Sequence, residues 1–378
     1  MKYYFIYSAG GGAGDWNGIK RIWSSTMPEI LKSNILLKFG DIFFNHASDR
    51  NLIRPQRWNE IDNVRQWLFN NVNDNFVLDS SEILLDSGAA KIVAWIAHHN
   101  PQISSSEILN KFDSTIEELH ILEKYANIIV NSNIDYAVSF DIPNPFKIRS
   151  QNGNTRTNLM NNNENNIETE QLSIRYCAKY TNKLYEELTN RIGEQNAQNT
   201  VMITCNGEWT KEQYDYYLSL LNFEPINIAI GGLTRSMRNN IDNLVAWNIQ
   251  NYSKIHYLGC GGIENVKLLR EKLLNYDNAS VDVSTPINRV FEGNKSNTQW
   301  SCYYSYNDFK KYVINDRTKD LILNIHKNSR NTLFSQVEME DIVNKILTHQ
   351  SGNSSQETYD ARAKLLLQVS DVFRCNAI

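Results

Sequence analysis

Short apolar runs recur along the chain, and each closes on small or polar residues. They are YYFIYSAG (3–10), ILLKFGD (35–41), ILLDSGA (83–89), YAVSFD (136–141), VMITCNG (201–207), INIAIGG (226–232), KIHYLGCGG (254–262) and ASVDVSTP (279–286). Their continuity, without polar alternation, fits parallel strands buried on both faces. Between them lie stretches of helical period. One starts at a capping signal, S-S-S-E, and runs from Ser104 to Asn131. Residues 167–192 put Leu172, Tyr176, Tyr180, Leu184 and Leu188 on one face, and 210–221, 237–250 and 263–275 repeat the pattern. Strands alternating with helices predict the α/β class and a parallel sheet. Eight runs match the strand count of a (β/α)8 TIM barrel.

Beyond Pro286 the pattern turns helical over 305–325, 337–349 and 356–374. The expected organisation is a barrel domain over 1–300 and a helical extension over 301–378, packed on the barrel. The barrel would carry an Asn-rich polar insertion at about 150–166.

Composition narrows the class. Of 378 residues, 41% are hydrophobic and 21% charged, which supports a packed core. The net charge of −4 gives no overall pull toward polyanions, so a nucleic-acid partner needs a local basic patch. The five cysteines, Cys177, Cys205, Cys260, Cys302 and Cys375, contain no CxxC spacing. That pattern argues against a disulfide framework and a thiolate zinc site, and for a reducing cytoplasm. The apolar start is too short and too aromatic for a signal-peptide core. No stretch approaches the roughly 18 apolar residues of a membrane span.

In a barrel, chemistry sits at the carboxyl ends of the strands. Here those ends supply Asp41, Asp86, Asp141, Asn206, Gly231–Gly232, the glycines of LGCGG, and Asp282. Any one carboxylate could serve instead as a helix N-cap. Together, two carboxylates suffice for substitution at a sugar C1′: one attacks, the other moves a proton. Glycine turns let a flat ring lie on the backbone. Asp141 and Asn206 could read its edge, since Asn both donates and accepts.

These endings resemble, in chain order, the tRNA-guanine transglycosylase superfamily. DSGAAK (86–91) looks like the family's DSGG-aromatic-Gln stretch, SFD (139–141) like its base-reading strand end, and TCNGE (204–208) stands at its VQGG. AIGGL (229–233) is an identical string, HYLGCGG (256–262) resembles YLMGVG, and VDVSTPINR (281–289) is similar to FDCVxPTR. The resemblance covers roughly 80–290 and implies these roles. Asp282 is the nucleophile at C1′ and Asp86 the general acid/base. Ser87, Asp141, Asn206, Gly231, Gly232, Leu233, Tyr257 and Gly259 line the base pocket. Arg235, Arg289 and Lys91 meet the nucleic-acid backbone.

The departures from the tRNA enzymes are equally specific. Ala90 replaces the stacking aromatic, Lys91 the Gln, and Gly259 the methionine, while the family's CxCxxC…His zinc pattern is absent, so no cofactor is expected. They resemble the DNA-directed branch, which exchanges guanine in DNA for a 7-deazaguanine such as preQ0. DNA is therefore the expected polymer and tRNA the alternative. A homodimer or a duplex-opening helper stays open, as does a non-catalytic binding subunit.

SAGGGAGDWNG (8–18) matches no phosphate-loop register and reads as a tight turn or a close-approach loop. Basic residues gather at Arg50, Arg54, Arg57 and Arg65 with Trp58 and Trp67, and again at Lys310, Lys311, Arg317 and Lys319. Each group is either a solvated helix face or a phosphate contact.

Overall fold

The computed structural model describes residues 1–7, 33–72, 75–145, 166–234, 236–273, 276–283, 286, 290, 301–348 and 356–377. Arg235, Arg289, the glycine stretch 8–18 and nearly all of the Asn-rich segment lie outside them.

The eight apolar runs are the eight strands of a closed parallel barrel, paired in chain order. They are β1 (Lys2–Tyr7), β2 (Asn34–Lys38), β3 (Glu82–Asp86), β4 (Tyr136–Val138), β5 (Val201–Asn206), β6 (Asn227–Gly231), β7 (Lys254–Tyr257) and β8 (Ala279–Val283). All five residues of β6 and the first five of β5 are buried, as two-sided packing requires. β9 (Cys302–Tyr304) and β10 (Lys311–Val313) form a separate antiparallel pair.

The described helices are α1 (Phe39–Phe43), α2 (Pro55–Glu60), α3 (Val64–Val72), α4 (Asn75–Asp79), α5 (Ala89–His99), α6 (Ser105–Glu118), α7 (Ile121–Asn131) and α8 (Asn166–Ile192). They continue with α9 (Glu194–Thr200), α10 (Lys211–Ser219), α11 (Met237–Ala246), α12 (Ile263–Lys272), α13 (Lys319–Lys327), α14 (Gln336–Thr348) and α15 (Gln356–Ala377). The barrel is thus followed by C-terminal helices. None of the described helices is long and apolar enough to cross a membrane.

Three expectations change. The helical period across 104–131 is two helices, broken at His120, whose φ of 50° is left-handed. The capping signal is real: Ser104 and Glu107 form a reciprocal capping box. Residues 305–325 are not one helix. CYY and KYV pair as strands, and a turn with Phe309 at φ 58° joins them, so the helix begins only at Lys319. The second run leaves the strand early, at Lys38, so Asp41 sits inside α1.

Two compact units divide the chain. The first holds Met1–Ile35, Arg65–Glu82 and Gly259–Ile378. In it β8 pairs with β1, and Tyr3 meets Phe373 of α15 edge-on. Gln368 of α15 donates to the Tyr304 carbonyl at 2.7 Å, which ties that helix to β9. The second unit holds Leu36–Val64 and Ile83–Leu258. Its core includes Tyr125, whose buried hydroxyl lies 2.8 Å from the carbonyls of both Leu85 and Val138. That hydroxyl fixes the ends of β3 and β4, and hence the backbone just before Asp86 and Asp141.

Candidate active site

In the second unit the strand ends converge on a group of polar side chains. β3 ends at Asp86, whose Oδ1 accepts from the Gly88 N–H at 3.3 Å. The acid folds onto its own turn, while Gly88 is the residue that caps α5. Gly88 has φ +73°, and a Cβ there would stand 2.6 Å from the Gly40 backbone. Glycine is therefore required for conformation and for space. The contact presses the Asp86 turn onto α1.

The same junction explains Lys91. Its ammonium pairs with Asp41 at 2.6 Å and donates to the Gly40 carbonyl at 3.3 Å. It clamps α5 to α1, and its charge is already partnered by Asp41. Ser87 is fully buried and donates to the Ser139 carbonyl at 3.3 Å, which links β3 to the residues after β4.

Asp141 lies three residues past β4. Its carboxyl is enclosed, although the residue as a whole is half-buried. Burial, and then repulsion from Asp86, push its pKa up to about 7. Asp86 also raises the buried Tyr125 hydroxyl, after burial itself. These two carboxyls are thus close enough to feel each other. A Cβ on Gly231 would come within 2.6 Å of Asp141 Oδ2, so the carboxyl rests against bare backbone.

Asn206 ends β5. Its Oδ1 accepts from the Glu208 N–H at 3.0 Å, which leaves its amide N–H groups without a described partner. Gly232, at φ +78°, abuts that side chain so closely that a Cβ would overlap Oδ1. Gly232 itself is exposed, while Leu233 is buried against Gly207. Tyr257, the last residue of β7, is buried at a register opposite Ile230.

The first unit carries Asp282, which is buried on β8. Its Oδ1 accepts from the Gly259 N–H at 2.5 Å, and its carbonyl accepts from the Gly261 N–H at 3.0 Å. The LGCGG turn thus holds the acid, and a Cβ on Gly261 would strike the Asp282 carbonyl at 2.5 Å. Burial and the Asp282 charge raise the neighbouring Cys260 thiol, so it is not a thiolate nucleophile.

One element was invisible in the sequence. Buried Glu170 of α8 accepts from Asn144 Nδ2 at 2.6 Å and from Trp209 Nε1 at 3.1 Å. Asn144 is three residues past Asp141, and Trp209 three past Asn206. A single carboxylate therefore straps together the two loops that follow these residues. Ser173 and Cys177, further along the same helix, bond the Ile142 backbone.

Other candidates have structural work. Trp58 packs on Phe39, Phe43 and Phe44. Lys319 donates to Asn344 and Lys310 pairs with Asp308. Among the described residues no group of three or more His, Cys, Asp or Glu is arranged to hold a metal ion. A cavity of about 530 Å³ in the first unit, walled by Tyr3, Phe5 and Leu367, opens at the amino end of β1. That is opposite the end where barrel chemistry sits.

No family model, curated protein or solved structure matches the chain.

Proposed function

We propose that the protein is a nucleic-acid base-exchange enzyme that replaces guanine in DNA with a 7-deazaguanine base. The observation that carries this reading is the group at the ends of β3 to β6. There a carboxyl with a pKa raised to about 7 lies beside Asp86, against the bare backbone of Gly231. Next to it, Asn206 presents amide donors that have no described partner, beside exposed Gly232. Glycine backbone flanked by an acid and an amide suits a flat, hydrogen-bonding heterocycle better than a sugar ring.

The chemistry follows from the residue types. The Asp282 carboxylate attacks C1′ and forms a C–O bond as the C1′–N9 bond breaks. Asp86, in its acid form, gives a proton to the departing guanine. As a carboxylate it then takes the proton of the incoming base, whose nitrogen attacks C1′ and releases Asp282. The Gly259 N–H fixes one Asp282 oxygen and so orients the carboxylate for attack. The target nucleotide must be extrahelical or single-stranded, because C1′ and the base edge are hidden in a duplex.

DNA is preferred to tRNA on the departures at Ala90, Lys91 and Gly259. Incubating the protein with guanine-labelled DNA and, separately, tRNA tests this. Guanine released from DNA supports the reading; release from tRNA alone transfers the activity to the other polymer. Release from neither removes it.

A further inference from the structure

The arginine group at 50–65 divides into two kinds. Arg65 is buried and donates to the Ser81 carbonyl at 2.5 Å, so it serves the interior. Arg50, Arg54 and Arg57 belong to the segment that follows α1. Arg54 Nε donates to the Phe44 carbonyl at 2.8 Å, and Arg57 Nη1 to the Ile42 carbonyl at 3.3 Å. Both guanidiniums are thus pinned at the carboxyl end of one short helix. Burial, then repulsion from Arg54, lowers the Arg57 pKa, as two adjacent like charges should.

Pinning uses one of the five N–H groups of Arg54, and the remainder of its fork makes no described ion pair. Arg50 is exposed and likewise has no described ion pair. Of the acids nearby, Asp41 is held by Lys91 and Asp62 by Lys124 at 2.7 Å, while Asp49 accepts from the His46 N–H at 2.9 Å. Glu60 stands exposed at the end of α2, a helix that buries none of its residues. The location matters most: α1, at whose carboxyl end Arg54 and Arg57 are pinned, is the element pressed against the Asp86 turn through Gly40 and Gly88, and Arg50 lies in the loop between that helix and Arg54.

We infer that Arg50, Arg54 and Arg57 form a phosphate-contacting edge that guides a nucleic-acid backbone past the Asp86 turn. The inference rests on the base-exchange reading for the identity of the polymer. Preset guanidinium forks suit phosphate oxygens, and ordering them in advance lowers the entropy lost on binding.

The test is the salt dependence of oligonucleotide binding by the full chain, with Arg50→Glu and the double variant Arg54→Gln/Arg57→Gln. Arg50 is exposed at the surface, so its substitution probes charge without disturbing the fold. Each phosphate-bound arginine that is replaced should flatten the slope of log K against log salt by about 1 and weaken binding. If wild type binds and both variants keep its slope, the edge is overturned and the base-exchange reading stands. If wild type binds neither DNA nor tRNA, both fall. If Arg50→Glu instead loses binding to vesicles of equal phosphatidylcholine and phosphatidylserine, with its oligonucleotide slope unchanged, the surface serves a membrane and the inference is wrong.

Discussion

Replacing Asp141 with Asn removes an ionisable group whose pKa rises to about 7, and keeps its shape. The folded value lies above the unfolded value of 3.8. Across that interval the native protein keeps a proton that the unfolded chain has released. The unfolded state therefore binds fewer protons, and stability falls as pH rises, by about 1.4 kcal/mol per unit. Summed over the interval the cost is about 4 kcal/mol, and about 3 kcal/mol of it falls between about pH 5 and about pH 8. Asn cannot ionise, so the variant escapes that cost. Urea unfolding of both proteins at the two pH values, followed by tryptophan fluorescence, measures the difference. Asp141→Asn should gain about 3 kcal/mol on wild type in going from the acidic to the alkaline condition. A gap that does not change with pH would mean that Asp141 is ionised throughout, and that burial and Asp86 repulsion do not hold its proton.

Two further outcomes follow from the same geometry. A guanine-type base offers N–H donors, which require an ionised Asp141, so calorimetric affinity should be about tenfold weaker at about pH 6 than well above 7; affinity that is flat with pH, or stronger in acid, contradicts this. Gly88→Ala forces a left-handed φ on a residue with a Cβ and drives that Cβ into Gly40, so it should cost at least about 2 kcal/mol in urea unfolding and lower base exchange with it; a variant of wild-type stability and activity would show that the turn needs neither the conformation nor the space.

The barrel was legible because parallel strands bury both faces and so write continuous apolar runs. Runs such as VMITC and INIAIG carry the strand in their residue types, and Asp86 and Asn206 close their strands. The capping box at Ser104 was equally local. What the sequence hid was pairing across distance. Glu170 binds Asn144 and Trp209, 26 and 39 residues away, and nothing at Glu170 itself signals a strap. Lys91 was expected to meet the nucleic-acid backbone, because the Asp41 that pairs with it lies 50 positions earlier. KYV fell inside the helical pattern read over 305–325 because a three-residue strand is too short to establish a period of two.

The proposed mechanism stands on Asp282 becoming covalently joined to the nucleic acid. The direct measurement incubates the protein with guanine-containing single-stranded DNA, without a replacement base, and resolves the mixture under denaturing conditions. Wild type should show a protein–DNA adduct that disappears when a 7-deazaguanine base is added, and Asp282→Ala should show none. An adduct of wild-type yield in Asp282→Ala would contradict the account.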